Sequence, residues 1–207
     1  MSSPQITIHL VRHGQTEWNA EHRVQGWTDV PLNQTGREQS LAAAAALAGR
    51  SIGGVISSDL SRARQTAEPL AAAAGVELVL EPALRERGFG VAEGKLDSEI
   101  ERDFRGRLEG RWRDPDFRFD GGESRRDVYQ RVGAFLSALL AAPPADELVL
   151  VSHGGALRVA LAFLEGIAIE DLPRWDATPF ANGEIVTLMA VPTAPTAAPS
   201  STRPPSR

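Results

Sequence analysis

The sequence predicts an α/β fold, a three-layer sandwich in which a mostly parallel sheet carries helices on both faces. Short runs rich in β-branched and aliphatic residues recur along the 207 residues, and segments of helical composition separate them. Residues that favour turns and helix caps stand at the borders between the two kinds of segment. Such an alternation of strands and helices is typical of a sheet that is covered on both sides.

The elements follow in order along the chain. Strands are predicted at 6–11, 55–56, 76–80, 147–152 and 184–190. Helices are predicted between them, at 41–50, 61–75, 123–142 and 156–164. Asn33 and Thr35 are candidate caps for the first helix, because short polar side chains favour that position. Ser58 and Asp59 are candidate caps for the second helix.

Two segments depart from this alternation. Residues 88–121 are rich in Gly, Arg, Asp and Phe, and we interpret them as a small helical lid inserted beside the sheet. Residues 192–207 are mainly Pro, Ala, Ser and Thr without apolar periodicity, which predicts a disordered tail. We therefore expect a single domain over residues 1–191.

The composition limits the possible function. With 22 Lys and Arg against 27 Asp and Glu, the formal net charge of -5 disfavours a nucleic-acid-binding protein. The absence of cysteine excludes disulfides, thiolate nucleophiles and cysteine-ligated metals. No secretory signal and no run of about 18 apolar residues is found, so we expect a cytoplasmic protein without a membrane partner. The predicted helices show no extra apolar stripe from which a dimer interface could be argued. A homodimer is therefore possible but is not predicted by the pattern.

Two predicted strands end in a histidine followed by glycine. The first runs into Arg12, His13 and Gly14, and the fourth into His153 and Gly154. Ligands of open α/β sheets bind beyond the carboxyl ends of the strands, so both histidines are expected at one crevice. The glycines permit a sharp turn or a close backbone approach, and the helix that follows 153 offers free N–H groups to an anion.

Arginines and a carboxylate complete the predicted site. Arg12 adjoins His13, and Arg62 begins the helix after the second strand, so both guanidinium groups are candidates for binding phosphate oxygens. A carboxylate from the loop after the third strand would serve as general acid and base. Spacing alone leaves three candidates for it: Glu81, Glu86 and Glu93.

The motifs resemble those of the histidine phosphatase superfamily, also called the phosphoglycerate mutase-like family. They occur in the same order over about residues 6–190: LVRHGQTEWN, RVQG, SSDLSRARQTA, LRERGFG, GGES and VSHGGALR. The resemblance implies that His13 is the nucleophile and forms a phosphohistidine, with its other ring N–H held by the carbonyl of Gly14. It also implies that Glu86 protonates the leaving alcohol and then activates water.

The resemblance implies the remaining site residues as well. Arg12, Arg62 and His153 would neutralise the charge of the transferring phosphoryl group, His153 best as imidazolium. Further residues are expected to bind substrate around the pocket: Asn19, Thr16, Gln25, Gly26 and Gly154. No metal and no cofactor is expected, because the arginines supply the positive charge.

The activity that we expect is a phosphatase acting on a small phosphorylated metabolite. Only 34 residues separate Glu86 from Gly121, whereas cofactor-dependent phosphoglycerate mutases carry a longer segment there. The segments 85–95 and 112–124 are similar to those of small-metabolite phosphatases. A mutase, a protein phosphohistidine or phosphotyrosine phosphatase, and a non-catalytic binding protein are the alternatives.

Other polar residues have ordinary interpretations. His9 is expected to be packed or on the surface, and His22 and Arg23 lie in a loop that is expected near the substrate. Three arginines are interpreted as surface or ion-pair residues: Arg64, Arg85 and Arg87. A second anionic group on the substrate is a hypothesis that depends on inward-facing arginines of the lid: Arg102, Arg105, Arg107, Arg111 and Arg113.

Overall fold

One five-stranded sheet forms the centre of the computed structural model, which describes residues 5–105, 114–172 and 180–192. The strands are β1 (Ile6–Arg12), β2 (Gly54–Ser57), β3 (Leu78–Leu80), β4 (Glu147–Ser152) and β5 (Ile185–Ala190). Their order is β3-β2-β4-β1-β5, and only β5 runs antiparallel to its neighbour. The predicted mostly parallel sheet is confirmed, although β3 is two residues shorter than expected.

Helices cover both faces of this sheet. They are α1 (Glu17–Ala20), α2 (Gln34–Ala46), α3 (Ser61–Ala74), α4 (Asp97–Asp103), α5 (Arg125–Ala141) and α6 (Gly154–Leu164). Successive strand residues face opposite sides, so Leu148 and Leu150 of β4 pack with α5 and α6. Val149 and Val151 pack with α2 and α3 on the other side. The three-layer arrangement is therefore confirmed.

Helix capping differs from the prediction at α3. Asn33 caps α2 as expected, its side chain accepting the N–H of Gly36 at 2.9 Å. The N-cap of α3, however, is Leu60, and neither Ser58 nor Asp59 caps this helix. Asp29 accepts the Ser61 N–H and the Ser61 hydroxyl, both at 2.7 Å, so a carboxylate from a distant loop replaces the local cap. This contact fixes the loop beside Arg62.

The described part of segment 88–121 has a small apolar cluster of its own. Buried Ala92, Ile100 and Phe119 pack with partly buried phenylalanines and Val24, and α4 supplies the helical part. Two backbone hydrogen bonds join the segment to Val24. The N–H of Val24 donates to the carbonyl of Lys95 at 3.0 Å, and the N–H of Gly94 donates to the carbonyl of Val24 at 2.8 Å. The lid interpretation and the boundary at 191 stay predictions, because 106–113 and 193–207 lie outside the described residues.

The described residues contain no helix of the length and apolarity needed to cross a bilayer.

Candidate active site

Neighbouring strands bring the two histidines together. β1 and β4 pair in parallel, with Arg12 opposite Ser152, so His13 and His153 leave the same edge of the sheet. Their ring centroids are 5.0 Å apart, and both rings are buried. Ser58, which follows β2, also reaches this edge and contacts His153. The two histidines therefore lie together at the carboxyl ends of β1 and β4.

His13 is held in one tautomer by its own backbone. The Nδ1–H donates to the carbonyl of Gly14 at 2.7 Å, which leaves the lone pair on Nε2. Burial, followed by the charges of Arg62 and Arg12, places the pKa of His13 well below its usual value, so the ring is neutral at pH 7. A Cβ at Gly14 would lie 2.3 Å from the carbonyl oxygen of Gly36, so only glycine allows this close backbone approach.

His153 is neutral as well; the imidazolium was expected with an anionic phosphate beside the ring. Arg62 donates its Nε–H to Nδ1 of His153 at 3.2 Å, so Nδ1 must carry a lone pair. The other nitrogen, Nε2, lies 2.9 Å from Oγ of Ser58 and carries the ring proton. Burial and the positive charge of Arg62 hold the pKa of His153 well below its usual range. An anion beside the ring would favour the protonated form.

Arg62 is the most deeply buried charge of the site, with 1% of its surface exposed. Besides His153, its guanidinium donates to the carbonyls of Thr28 at 3.0 Å and Gly26 at 2.7 Å. Its own carbonyl accepts the hydroxyl of Thr66 at 2.7 Å, and the same hydroxyl oxygen accepts the N–H of Gly14 at 3.0 Å. Burial lowers the pKa of Arg62 to about 10, so it remains a cation at pH 7.

Arg12 offers a free donor at the start of α6. Its Nη1 donates to the carbonyl of Phe180, whereas its buried Nε has no partner among the described residues. A Cβ at Gly154 would lie 3.4 Å from this Nε, so the unpaired N–H lies beside the amino end of α6. A guanidinium N–H next to a helix N-terminus is a suitable place for an anion.

Of the three carboxylate candidates, Glu86 is the one that reaches α6. Its Oε2 accepts the N–H of Gly155 at 3.0 Å, and its Oε1 accepts the N–H of Arg87 at 2.8 Å. Glu81 instead caps a short 3₁₀ turn, accepting the Ala83 N–H at 2.8 Å. Glu93 accepts N–H groups of the loop at 27–28 and of residue 89, between 2.9 and 3.0 Å. The structure thus brings only Glu86 of the three to the helix that begins after His153.

The predicted substrate-binding residues differ in their freedom to bind. Thr16 and Asn19 cap α1 reciprocally, each side chain bonding the other's backbone N–H at 3.1 Å. Asn182 donates to the carbonyl of His13 at 3.0 Å and to Oδ1 of Asn19 at 3.3 Å. Gln25 is 8% exposed, and its buried Oε1 lacks a hydrogen-bond partner in the described structure. Gln25 therefore has an acceptor available, whereas Thr16 does not have a free hydroxyl.

An open cleft of about 230 Å³ adjoins Arg12 and Asn19. Its lining includes His22 and Arg23, the loop residues that were expected near the substrate. The described ranges contain no cluster of three or more His, Asp or Glu side chains that could hold a metal ion. The positive charge of the described site comes from its arginines.

Around the site, some residues have a different environment from the one predicted, and others were not identified from the sequence. Arg87 is not a surface residue: it is 7% exposed and donates to the carbonyls of Glu123 and Phe117, and burial lowers its pKa to about 10. Arg85 does form the expected kind of ion pair, with Asp59. Four residues that contact the site were not identified from the sequence, because their hydrogen bonds join segments far apart in the chain: Ser58, Thr66, Arg131 and Asn182.

His9 is packed, as one of its two interpretations had it. It lies within the sheet, with Nδ1 2.8 Å from the hydroxyl of Thr187 and Nε2 2.9 Å from a carboxylate oxygen of Glu147. Arg64 pairs with Glu68 one turn along α3, as an exposed ion pair. Neither residue belongs to the crevice.

Comparison with known proteins identifies the family. The sequence model of the histidine phosphatase superfamily (branch 1) matches residues 8–195. A probable phosphoglycerate mutase of Cronobacter sakazakii is 39% identical over 165 residues, which cover 78% of this chain and 76% of that one. The solved mycobacterial glucosyl-3-phosphoglycerate phosphatase complexed with VO3 has a TM-score of 0.81 at 31% identity, covering 88% of this chain and 90% of that one. A mutant phosphoserine phosphatase of Entamoeba histolytica in complex with phosphoserine has a TM-score of 0.74 at 26% identity, over 88% and 89% of the two chains. The chain belongs to the histidine phosphatase superfamily, branch 1.

Proposed function

We propose that the protein hydrolyses phosphomonoesters of small metabolites through a phosphohistidine on His13. The observation that carries this proposal is the fixed, neutral His13, whose Nδ1–H is bound to Gly14. Its Nε2 lone pair is then available for attack without prior loss of a proton. Arg12 and Arg62 flank it and would take the equatorial oxygens of the phosphoryl group.

The first step would transfer the phosphoryl group to the enzyme. Nε2 of His13 forms a bond to phosphorus while the ester P–O bond breaks, and protonated Glu86 gives its proton to the leaving oxygen. Arg12 and Arg62 balance the charge on the phosphoryl oxygens. The bound dianion also favours protonation of His153 at Nδ1, and this nitrogen can donate to a phosphate oxygen only when it gives up its contact with the Nε–H of Arg62.

The second step would return the enzyme to its starting state. Glu86, now a carboxylate, takes a proton from water while the water oxygen bonds to phosphorus and the P–N bond to His13 breaks. Orthophosphate leaves, and Glu86 is again protonated. Two moderate barriers thus replace one high barrier.

Around this centre, the remaining predicted residues would bind the substrate. Asn19 and the amino end of α6 at Gly154 would hold phosphate oxygens, and Gln25 and Gly26 would line the mouth. We assign Thr16 an indirect part, since its hydroxyl is already engaged in the cap of α1. The segment 88–121 would act as the lid.

A phosphatase is favoured over a mutase by the short segment after Glu86 and by the likeness to two solved phosphatases. The relative named as a probable phosphoglycerate mutase favours the second candidate. The hypothesis of a second anionic group receives no support from Arg102 and Arg105, which are both exposed; Arg102 also bonds Asp103 at 2.9 Å. Arg107, Arg111 and Arg113 lie outside the described residues.

A panel of phosphomonoesters tests the proposal. Phosphate release and the interconversion of 3- and 2-phosphoglycerate are followed in parallel with chelator present. Phosphate release that disappears in His13→Ala supports the phosphatase, provided that His9→Gln, which changes a buried histidine within β1, stays active. Isomerisation without release would make the protein a mutase, and the absence of both would contradict catalysis.

A further inference from the structure

We propose that Arg131 is a positioning residue that holds the loop of residues 83–88 around Glu86. Glu123 in turn orients the Arg131 side chain. This inference rests on the proposed role of Glu86 as acid and base. The carbonyl of Glu86 also accepts the indole N–H of Trp27 at 2.7 Å, so the loop is held from two sides. A role for the helix α5 in the chemistry follows, although α5 contributes no group to the reacting atoms.

The guanidinium of Arg131 uses all five of its N–H donors. Its Nε and Nη2 donate to the two carboxylate oxygens of Glu123, both at 2.9 Å, in a paired arrangement. Nη1 donates to the carbonyls of Ala83 at 2.7 Å and Arg85 at 2.8 Å. The second Nη2 contact is the carbonyl of Glu86 at 2.8 Å. No donor of Arg131 is left for a phosphate oxygen, so this arginine differs from Arg12 and Arg62.

These contacts fix the backbone on both sides of the Glu86 Cα. The carbonyl of Arg85 belongs to the peptide plane before Glu86, and the carbonyl of Glu86 belongs to the plane after it. Holding both planes fixes the backbone dihedral angles at residue 86, and thereby the origin and direction of its side chain. Because catalysis is sensitive to displacements of about 1 Å, this restraint bears directly on proton transfer.

Glu123 connects Arg131 to Gly88, two residues after Glu86 in the same loop. Its Oε2 also accepts the N–H of Gly88 at 2.9 Å, and its own N–H donates to the Gly88 carbonyl at 2.8 Å. The Arg131 and Glu123 side chains are 20% and 18% exposed, so the ion pair is shielded from water. Shielded, hydrogen-bonded pairs keep one geometry better than exposed pairs.

The test compares Arg131→Met with Glu86→Gln on two kinds of substrate. An alkyl phosphate needs a proton on its leaving oxygen, whereas p-nitrophenyl phosphate releases nitrophenolate without one. If Arg131 positions the acid and base, Arg131→Met lowers kcat for the alkyl phosphate by about 10- to 100-fold. The first-turnover burst of nitrophenolate stays within about threefold of wild type, and later turnovers are slow because water activation also needs Glu86.

The double variant Arg131→Met/Glu86→Gln separates a loss of Glu86 positioning from a general loss of active-site structure. When two residues act through the same group, removing the second adds little once the first is lost. We therefore expect the double variant to match Glu86→Gln within about threefold in kcat. Inhibition by orthovanadate should stay within about threefold in Arg131→Met, because the phosphate ligands are untouched.

The matched control is Arg126→Met, which removes an arginine of the same helix. Arg126 pairs with Asp116 and Glu170 at the surface, away from the loop, and the variant should keep wild-type kinetics. If Arg131→Met does not fold, Arg131→Lys takes its place under the same criteria, since lysine keeps the charge without the five-donor fork.

The outcomes are distinct. Equal losses on both substrates in the first turnover, additivity with Glu86→Gln, or wild-type kinetics of Arg131→Met would overturn the positioning role. A wild-type protein without His13-dependent turnover would instead contradict the proposed function itself.

Discussion

Acidification is expected to destabilise the protein because both histidines of the candidate site, His13 and His153, are buried in the neutral form. The pKa values of His13 and His153 lie well below the ordinary 6.5, with burial as the largest cause. In the unfolded chain each histidine binds a proton below about pH 6.5. The unfolded state then binds more protons than the folded state, so the free energy of unfolding falls as the pH falls.

The size of this effect follows from the unfolded-state pKa of about 6.5 and from the pH interval, with both histidines neutral in the folded protein. Between about pH 7.5 and pH 5.5, a histidine that stays neutral when folded costs about 1.4 kcal/mol of stability. Two such histidines cost about 2.7 kcal/mol. Carboxylates with lowered pKa, such as Asp59 and Asp127, act in a different window, because their contribution is lost only below about pH 4. The loss is also a large fraction of the stability of an ordinary domain.

Urea unfolding at the two pH values measures the loss directly. The matched comparison is the double variant His13→Asn/His153→Asn, in which no titrating group remains at these two positions. We expect its unfolding free energy to change much less between the two pH values than that of wild type. A wild-type loss below about 1 kcal/mol, or an equal loss in the double variant, would refute the reasoning.

Two further substitutions test the support of the site. Thr66→Val leaves the buried N–H of Gly14 without its acceptor and should lower the unfolding free energy by about 1–3 kcal/mol, whereas Thr66→Ser keeps the hydroxyl and most of the stability. Equal urea midpoints for the two variants would contradict this. Gly26→Ala combines a φ of 56° with a Cβ only 2.0 Å from Oε1 of Glu93, and should cost at least about 2 kcal/mol. Gly49 also has a positive φ, 80°, but a Cβ added there would meet open space, so Gly49→Ala measures the backbone cost alone. If the urea midpoint of Gly26→Ala is no lower than that of Gly49→Ala, the Glu93 side chain can move aside and the predicted steric cost is wrong.

Sequence patterns predicted the strands and the ends of strands that carry the histidines well. Short β-branched runs define β1 and β4, and the tautomer of His13 depends only on the carbonyl of the adjacent Gly14. Interactions of this kind are local, so the chain order reveals them. The helix cap at Asn33 was found among two candidates for the same reason.

Contacts between distant segments were not predictable in the same way. Asp29 replaces the expected cap of α3 from 32 residues away, and Arg131 binds the carbonyl of Glu86 across 45 residues. Arg87 looks like any surface arginine until tertiary packing brings carbonyls around it. Spacing alone left three carboxylate candidates; the family resemblance pointed to Glu86, and its contact with the N–H of Gly155 in α6 is visible only in the fold. Such groups obey ordinary hydrogen-bonding rules, but their partners are set by the fold.

The sheet order gives the two halves of the site unequal protection against local opening. His13 and His153 follow β1 and β4, interior strands that are paired on both sides, whereas Glu86 follows β3, a three-residue edge strand. Amide hydrogens of interior strands exchange with solvent only in large-scale opening, and those near short edges exchange in small fluctuations. Deuterium uptake should therefore be slow in β1 and β4, beside His13 and His153, and faster through residues 78–82. Local opening should thus reach the strand that precedes the Glu86 loop before it reaches the strands that precede His13 and His153.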